Sequence, residues 1–461
     1  FSVASNGCTV DGIKYCRSLV FRADAKLIGG GSTSGSFPES PNRIYIDESF
    51  MLDNAMTNFD YRGSIHMVGS GDVNTNGTTL EIFKLEFDNP TGTWDFQSDL
   101  VMDNSWSSSI TYRRYGIFSL QAGTVNTNNY DLTIPSQFTS TSSANRTLNL
   151  GSSTINHLCN GTYYIHWSAQ TRYPWDVRTS TNFTLNAGTS QLIFANTTTT
   201  FVYDKWFYMG DGLNYNNIRF EDTDDPAFVY RSANYAYGEL LGTVYLYNNN
   251  SFDSLRLEGG QYYYFGAGNQ QTLNSPHGKI IANGNSGSFV FIESTASGST
   301  AFLHKNHGYA FCLDFVKVKE IEGTKEPVLA SVPAAFQGIH SFLEFQTGVN
   351  SDNINNSATG IWAFNLPTLV TPQLVGDDSI SLCKFSSPQL APLTMLGTGP
   401  YFLDYTWTDN NGGSGANTLT INDDDADPST PYIYYINLPT TASETQYNLN
   451  SQTSRCGELT P

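Results

Sequence analysis

Two short runs of carboxylates are the residues best suited to hold a metal: Asp423-Asp424-Asp425-Ala426-Asp427 and Glu221-Asp222-Thr223-Asp224-Asp225. Calcium takes several carboxylate and carbonyl oxygens from a flexible loop. Neither run has the EF-hand pattern, and both also read as solvated loops. The sharper expectation is a structural calcium site with Asp423, Asp425 and Asp427 as ligands. A second chemistry is sugar recognition. Tyr163, Tyr164, Trp167, Tyr173, Trp175, Trp206, Tyr208, Tyr262, Tyr263 and Tyr264 crowd a few short segments, with Asn, Asp and Arg nearby. Exposed aromatic patches of this kind mark binding surfaces, while alternate members of such runs also fill cores. Tyr163, Trp167, Tyr173 and Trp175 form the expected ligand set. Tyr173 and Trp175 are expected to be the most exposed, because Tyr173–Val177 reads as an insertion leaving a corner.

No catalytic residue is assigned. Asp60, Asp88, Asp95, Asp99 and Asp103 are available with Arg113 and Arg114, but they form no recurrent pair of carboxylates with a positioned base. His304 and His307 lack a third metal ligand. Nucleophile-elbow, phosphate-loop and zincin signatures are missing from the sequence. The six cysteines suggest an oxidising compartment. Cys8 with Cys16 would staple a terminal loop, and Cys383 with Cys456 would span a C-terminal module. Cys159 and Cys312 either pair or remain buried thiols.

The elements that must carry these residues are short strands. In 461 residues with a net charge of −19, only 14% are charged, against about 25% in ordinary globular chains. Such a balance disfavours nucleic acid and anionic lipid as partners. It permits calcium, or a neutral or cationic glycan surface. No apolar run approaches the ~18 residues of a membrane-spanning helix. The chain begins at Phe1, which fits a removed leader or a piece of something longer.

The element Leu-x-x-Gly followed by Ser, Thr or Gln recurs at Leu120/Gly123, Leu148/Gly151, Leu185/Gly188 and Leu257/Gly260. Degenerate copies begin at Leu85 and Ile218. The gaps of 35, 28, 37, 33 and 39 residues fall within the roughly 20–50 residues of repeat architectures. Arg146–Leu150, Thr154–Leu158 and Tyr163–Trp167 read as three strands, with the cycle restarting at Phe183–Ala187. Three short strands per coil, with glycine at a corner, predict a right-handed parallel β-helix, its hand assigned by precedent. Residues 1–60 are expected to cap it, 61–365 to form the helix, and 366–461 to form an immunoglobulin-like β-sandwich.

The phrases Leu148–Ile155 and Leu185–Phe194, with Cys312–Val316, Asn356–Trp362 and Leu396–Tyr401, resemble large surface proteins of Bacteroidota exported by the type IX secretion system. Many of these are adhesins of gliding cells. The resemblance covers about residues 120–461 and rests on phrasing rather than on an invariant motif. It implies a secreted, cell-surface β-helix followed by tandem sandwich domains, with the secretion machinery and further domains or neighbouring subunits as partners. It supplies no catalytic residues. The sorting domain expected at the end of such proteins is missing from this sequence. O-glycans in that group are attached at Asp-Ser/Thr before an aliphatic residue, which marks Ser254 and Ser379. Asn-x-Ser/Thr sequons at Asn76, Asn145, Asn160, Asn182, Asn196, Asn249 and Asn355 read as composition in a bacterial chain, and as N-glycosylation in a eukaryotic one.

The expected function is therefore a non-enzymatic extracellular adhesin or structural stalk contacting glycan or another surface. Its competitors are a glycan-active lyase or hydrolase in the β-helix groove and a subunit of an extracellular filament.

Overall fold

The computed structural model describes residues 8–10, 13–21, 27–29, 42–56, 58–103, 116–159, 173–195, 204–222, 225–274, 278–305, 312–313, 315–325, 345–347 and 351–364. Toward the C-terminus it describes 373–374, 379–382, 389–394, 401–409, 411–421, 433–438, 445–454 and 457–459. The described residues hold strands and a single 3-10 turn, Ile354–Asn356, with no α-helix. None of them forms a helix long and apolar enough to cross a membrane. The chain divides into two compact units, Phe1–Phe252 and Asp253–Pro461.

In the first unit short strands stack in parallel, each pairing with its equivalent one turn later. One turn runs through Thr154–His157, Trp175–Asp176 and Phe183–Asn186. Thr154–His157 pairs in register with Gln191–Phe194, and Asp176 pairs with Tyr208 of Lys205–Tyr208. On the third side Arg146–Asn149 pairs with Phe183–Asn186, aligning Leu148 with Leu185. This is one extensive parallel sheet consistent with a β-solenoid. The described turn has the three strands expected, one of them Trp175–Asp176; the expected strand Tyr163–Trp167 lies outside the described residues. Within the segment expected to be a cap, Ile13–Cys16 pairs with Arg43–Ile46, which pairs with 64–67. These strands belong to the same parallel sheet as the strands that follow.

Alternation explains the stacking. Side chains on a strand point alternately to opposite faces, and Lys205–Tyr208, Ala227–Tyr230 and Val244–Leu246 all begin with a buried residue and alternate buried with half-buried ones. Inside, each coil rests its aromatics on the next: Phe87 on Phe118 at 5.3 Å, Phe118 on Phe138 at 5.8 Å, and Phe138 on Trp175 at 4.0 Å between ring centroids. Each such ring contributes roughly 1.5–3 kcal/mol by leaving water. Outside, amides form a ladder. Asn126 Nδ2 donates to Asp95 Oδ1 at 2.7 Å, Asn149 Nδ2 to Asn126 Oδ1 at 2.5 Å, and Asn186 Nδ2 to Asn149 Oδ1 at 2.6 Å. The corners need glycine. Gly151 and Gly188 have φ of 56° and 58°, and a Cβ on Gly188 would meet the Gly151 carbonyl oxygen at 2.3 Å.

The second unit repeats the parallel pattern, pairing 254–258 with Lys279–Asn283, and Val290–Glu293 with Val316–Lys319. Parallel pairing continues to Trp362–Ala363, which pairs with 345–346. From Gln373–Leu374 onward the pairing is antiparallel. One set joins Gln373–Leu374, Gln389–Thr394 and Ile433–Leu438. The other orders Ser379–Leu382, Thr445–Ser454, Tyr401–Asp409 and Ser414–Ile421, with Gly457–Leu459 beside Thr445–Ser454. Among the described residues the last parallel strand is Trp362–Ala363 and the first antiparallel one is Gln373–Leu374.

Candidate functional site

The outer face of three neighbouring strands in the first unit is lined with aromatic rings. Lys205–Tyr208, Ala227–Tyr230 and Val244–Leu246 pair in register, so their outward positions align in two rows. One row is Trp206, Phe228 and Tyr245; the other is Tyr208, Tyr230 and Tyr247. The rings lie nearly parallel along the ladder: Phe228 to Tyr245 at 4.6 Å and 14°, Tyr208 to Tyr230 at 5.4 Å and 24°, Tyr230 to Tyr247 at 4.7 Å and 3°. Trp206 is tilted by 40° from Tyr230 at 5.2 Å. Its buried indole N–H has no partner among the described residues. All six side chains are half-buried.

A charged fork closes one end of this ledge. Arg178 Nε and Nη2 donate to the two Asp176 carboxylate oxygens at 2.8 and 2.6 Å. The guanidinium lies over the Tyr173 ring at 4.7 Å and the Tyr208 ring at 5.0 Å, a favourable cation–π arrangement. The Asp176 hydrogen bonds outweigh burial and raise the Arg178 pKa. Burial and the neighbouring Tyr173 raise the Tyr208 pKa, and burial with the neighbouring Tyr247 and Tyr208 pushes Tyr230 up to about 12. The phenols are therefore neutral at physiological pH and act as hydrogen-bond donors and acceptors.

A second polar cluster lies on the same ladder, nearer the N-terminus. Glu86 receives His66 Nδ1 at 2.8 Å, Lys84 Nζ at 2.7 Å and Ser119 Oγ at 3.1 Å. Gln121 Nε2 donates to Ser119 Oγ at 2.8 Å, and the Tyr45 ring stacks on His66 at 4.7 Å. Burial works to raise the Glu86 pKa, but the His66 and Lys84 hydrogen bonds and charges bring it down to about 2.

Of the expected ligand set, Tyr173 stands half-buried at the end of the ledge. Trp175 does not. It is 0% exposed, stacks on Phe138 in the core, and donates its Nε1–H to Tyr215 Oη at 3.1 Å. The expected corner insertion is instead a strand in register with 138–139, which turns Trp175 inward. Tyr163 and Trp167 lie outside the described residues, as do Asp423, Asp425 and Asp427. Of the other aromatic run, Tyr263 is core, while Tyr262 is 38% exposed and stacks on Phe291 at 4.3 Å. In the second acidic run, two of the described carboxylates are not left to solvent. Asp222 and Asp225 close on the buried amine of Lys205, and Asp225 is 2% exposed. Among the described residues no group of three His, Cys, Asp or Glu is placed to hold a metal.

Cys16 is a half-buried free thiol whose Sγ lies 3.6 Å from the Tyr45 carbonyl oxygen. The Cys8 side chain is outside the described residues, so the expected bridge between them is not among the described pairs. Cys383 and Cys456 also lie outside. Ser254 is half-buried on a parallel strand, and Ser379 begins an antiparallel strand whose side chains are not described. Phe228, Tyr230, Tyr245 and Tyr247 were not singled out from the sequence. The signal was there: Trp206/Tyr208, Phe228/Tyr230 and Tyr245/Tyr247 are each two apart, the first two pairs within four-residue strands and the third at the end of Val244–Leu246.

Compared with known proteins, the chain matches no family model, no curated protein and no solved structure.

Proposed function

We propose that this chain is part of an extracellular, non-enzymatic surface protein, an adhesin or stalk that touches glycan through the first-unit ledge. The observation that carries the reading is the ledge itself: six aligned aromatic side chains on an outer face, closed by the Arg178–Asp176 fork. A half-exposed aromatic surface with hydroxyl and guanidinium groups suits sugars better than it suits an ordinary solvated face. The many registered strands give the stiffness a stalk needs, because each coil is held by its neighbours.

In this reading the solenoid is right-handed and the antiparallel strands after Gln373 form an immunoglobulin-like sandwich. The pairing of Gln389–Thr394 with Ile433–Leu438, and of Tyr401–Asp409 with Thr445–Ser454, suits such a module. Export by the type IX system, sugar at Ser254 or Ser379, a bridge at Cys383–Cys456, and calcium at Asp423, Asp425 and Asp427 complete the proposal. The test is a glycan array with the full chain, followed by analysis of the bound glycans. Retention without new reducing ends or unsaturated sugars supports the adhesin. Release of such products, or retention of no glycan at all, overturns it.

A further inference from the structure

We propose that the ledge takes a neutral, extended, β-1,4-linked polysaccharide laid across the strands, with one sugar ring to each strand. This rests on the glycan-contact reading and deepens it. Within each row the rings already stack on one another, at 4.6 to 5.4 Å for the three closest pairs. Their faces are therefore occupied. What they turn outward are ring edges and the phenolic hydroxyls of Tyr208, Tyr230 and Tyr247, repeated at the strand spacing of roughly 4.8 Å. An extended β-1,4 glycan advances by about one such spacing per sugar and offers a hydroxyl or ring oxygen at each step. An α-linked glucan curls away from a straight row.

Trp206 adds an independent pointer. Its indole N–H is buried without a partner among the described residues. A buried donor left unpaired costs about 1–3 kcal/mol, which a sugar hydroxyl accepting from it would recover. Its ring is tilted from Phe228 by 48° and from Tyr230 by 40°, and stands at 89° to Tyr173, so it stacks flat on none of them. Charge selects the ligand further. Arg178 is neutralised by Asp176 within the fork, and the whole chain carries −19, so uronate or sulfated polymers are repelled while a neutral polymer is not.

The test is affinity electrophoresis of the full chain in native gels containing hydroxyethyl cellulose, amylopectin or polygalacturonate, with cello- and chito-oligosaccharides titrated by calorimetry. Retardation is expected only in hydroxyethyl cellulose. Affinity is expected to rise with oligosaccharide length up to about four sugars, the span of Trp175–Asp176 and the three ledge strands. The double variant Tyr230→Ala/Tyr247→Ala should weaken binding at least about tenfold. Tyr230→Phe, which keeps the ring and the fold, should weaken it about three- to tenfold, the worth of one hydrogen bond. Equal retardation by amylopectin or polygalacturonate, affinity independent of length, or unchanged binding by both variants overturns this proposal but leaves glycan contact standing. Binding to none of these polymers, together with an empty glycan array, overturns both.

Discussion

Replacing Glu86 with Gln tests whether polar groups on the outer face bind successive coils together. The carboxylate joins three coils, through His66 on one, Lys84 on its own strand and Ser119 on the next. Burial alone would raise its pKa, but the His66 and Lys84 hydrogen bonds and charges carry it from 4.5 down to about 2. A drop of that size, at about 1.4 kcal/mol per pH unit, makes the charged form worth about 3 kcal/mol to the folded state. The side chain is only 14% exposed, so solvent removes little of this. The sign follows from the direction. A carboxyl whose folded pKa is depressed contributes fully above its unfolded pKa, and the contribution disappears as pH falls through the folded value. The loss therefore runs from about pH 5 down to about pH 2. Glu86→Gln should open the coils around 64–67, 84–87 and 117–120 by about 2–3 kcal/mol at pH 7, and by almost nothing near pH 2. The effect is local to these coils, so the measurement is hydrogen exchange of peptides from those strands, across pH. Equal protection of the two proteins at pH 7, or a gap that stays constant down to pH 2, would refute the reasoning.

Three further perturbations have calculable outcomes. Arg146 is 1% exposed and donates to the carbonyls of Ser140, Ala144, Thr179 and Thr181. Arg146→Ala leaves those acceptors stranded and should lower stability by about 3 kcal/mol, and Lys cannot rescue it because it lacks the planar fork; melting followed by circular dichroism checks both. Trp175→Ala opens a cavity against Phe138 and strips Tyr215 of its donor, an expected loss of about 3–5 kcal/mol readable as a lower denaturant midpoint. Gly188→Ala should exceed Gly212→Ala in cost. Both have positive φ, worth about 1–2 kcal/mol each, but only Gly188 would drive its Cβ into a backbone oxygen, whereas Gly212 faces open space. Equal melting of the two variants would remove corner crowding as the reason for the glycine.

The repeat was legible in the sequence where coils happen to be equally spaced, and only there. Leu148 and Leu185, singled out by their shared phrase, are direct partners on neighbouring coils, and the glycines after them stack at one corner. Leu85 and Leu120 sit on a different face and are out of step, since Leu85 pairs with Phe118 and Phe87 with Leu120. Ile218 lies on a third face, opposite Gly238. A motif search at fixed spacing blends the three faces because insertions lengthen the corners unequally. The packing of a coil asks only for an inward residue at every second position, not for a constant interval. That freedom explains both misses. From the sequence Tyr173–Val177 reads as an insertion leaving a corner, although two buried residues of its strand align with 138–139. The ledge escaped notice because its three strands follow one another at short intervals and carry no Leu-x-x-Gly phrase. Their common feature is chemical rather than periodic: apart from the ion-paired Lys205, apolar residues inward, and Trp, Phe and Tyr outward, strand after strand. Core packing explains the inward set. It does not call for six outward rings, since an outward position tolerates almost any polar residue. The excess of aromatic side chains over what the core requires is therefore the part of this sequence that points to a surface.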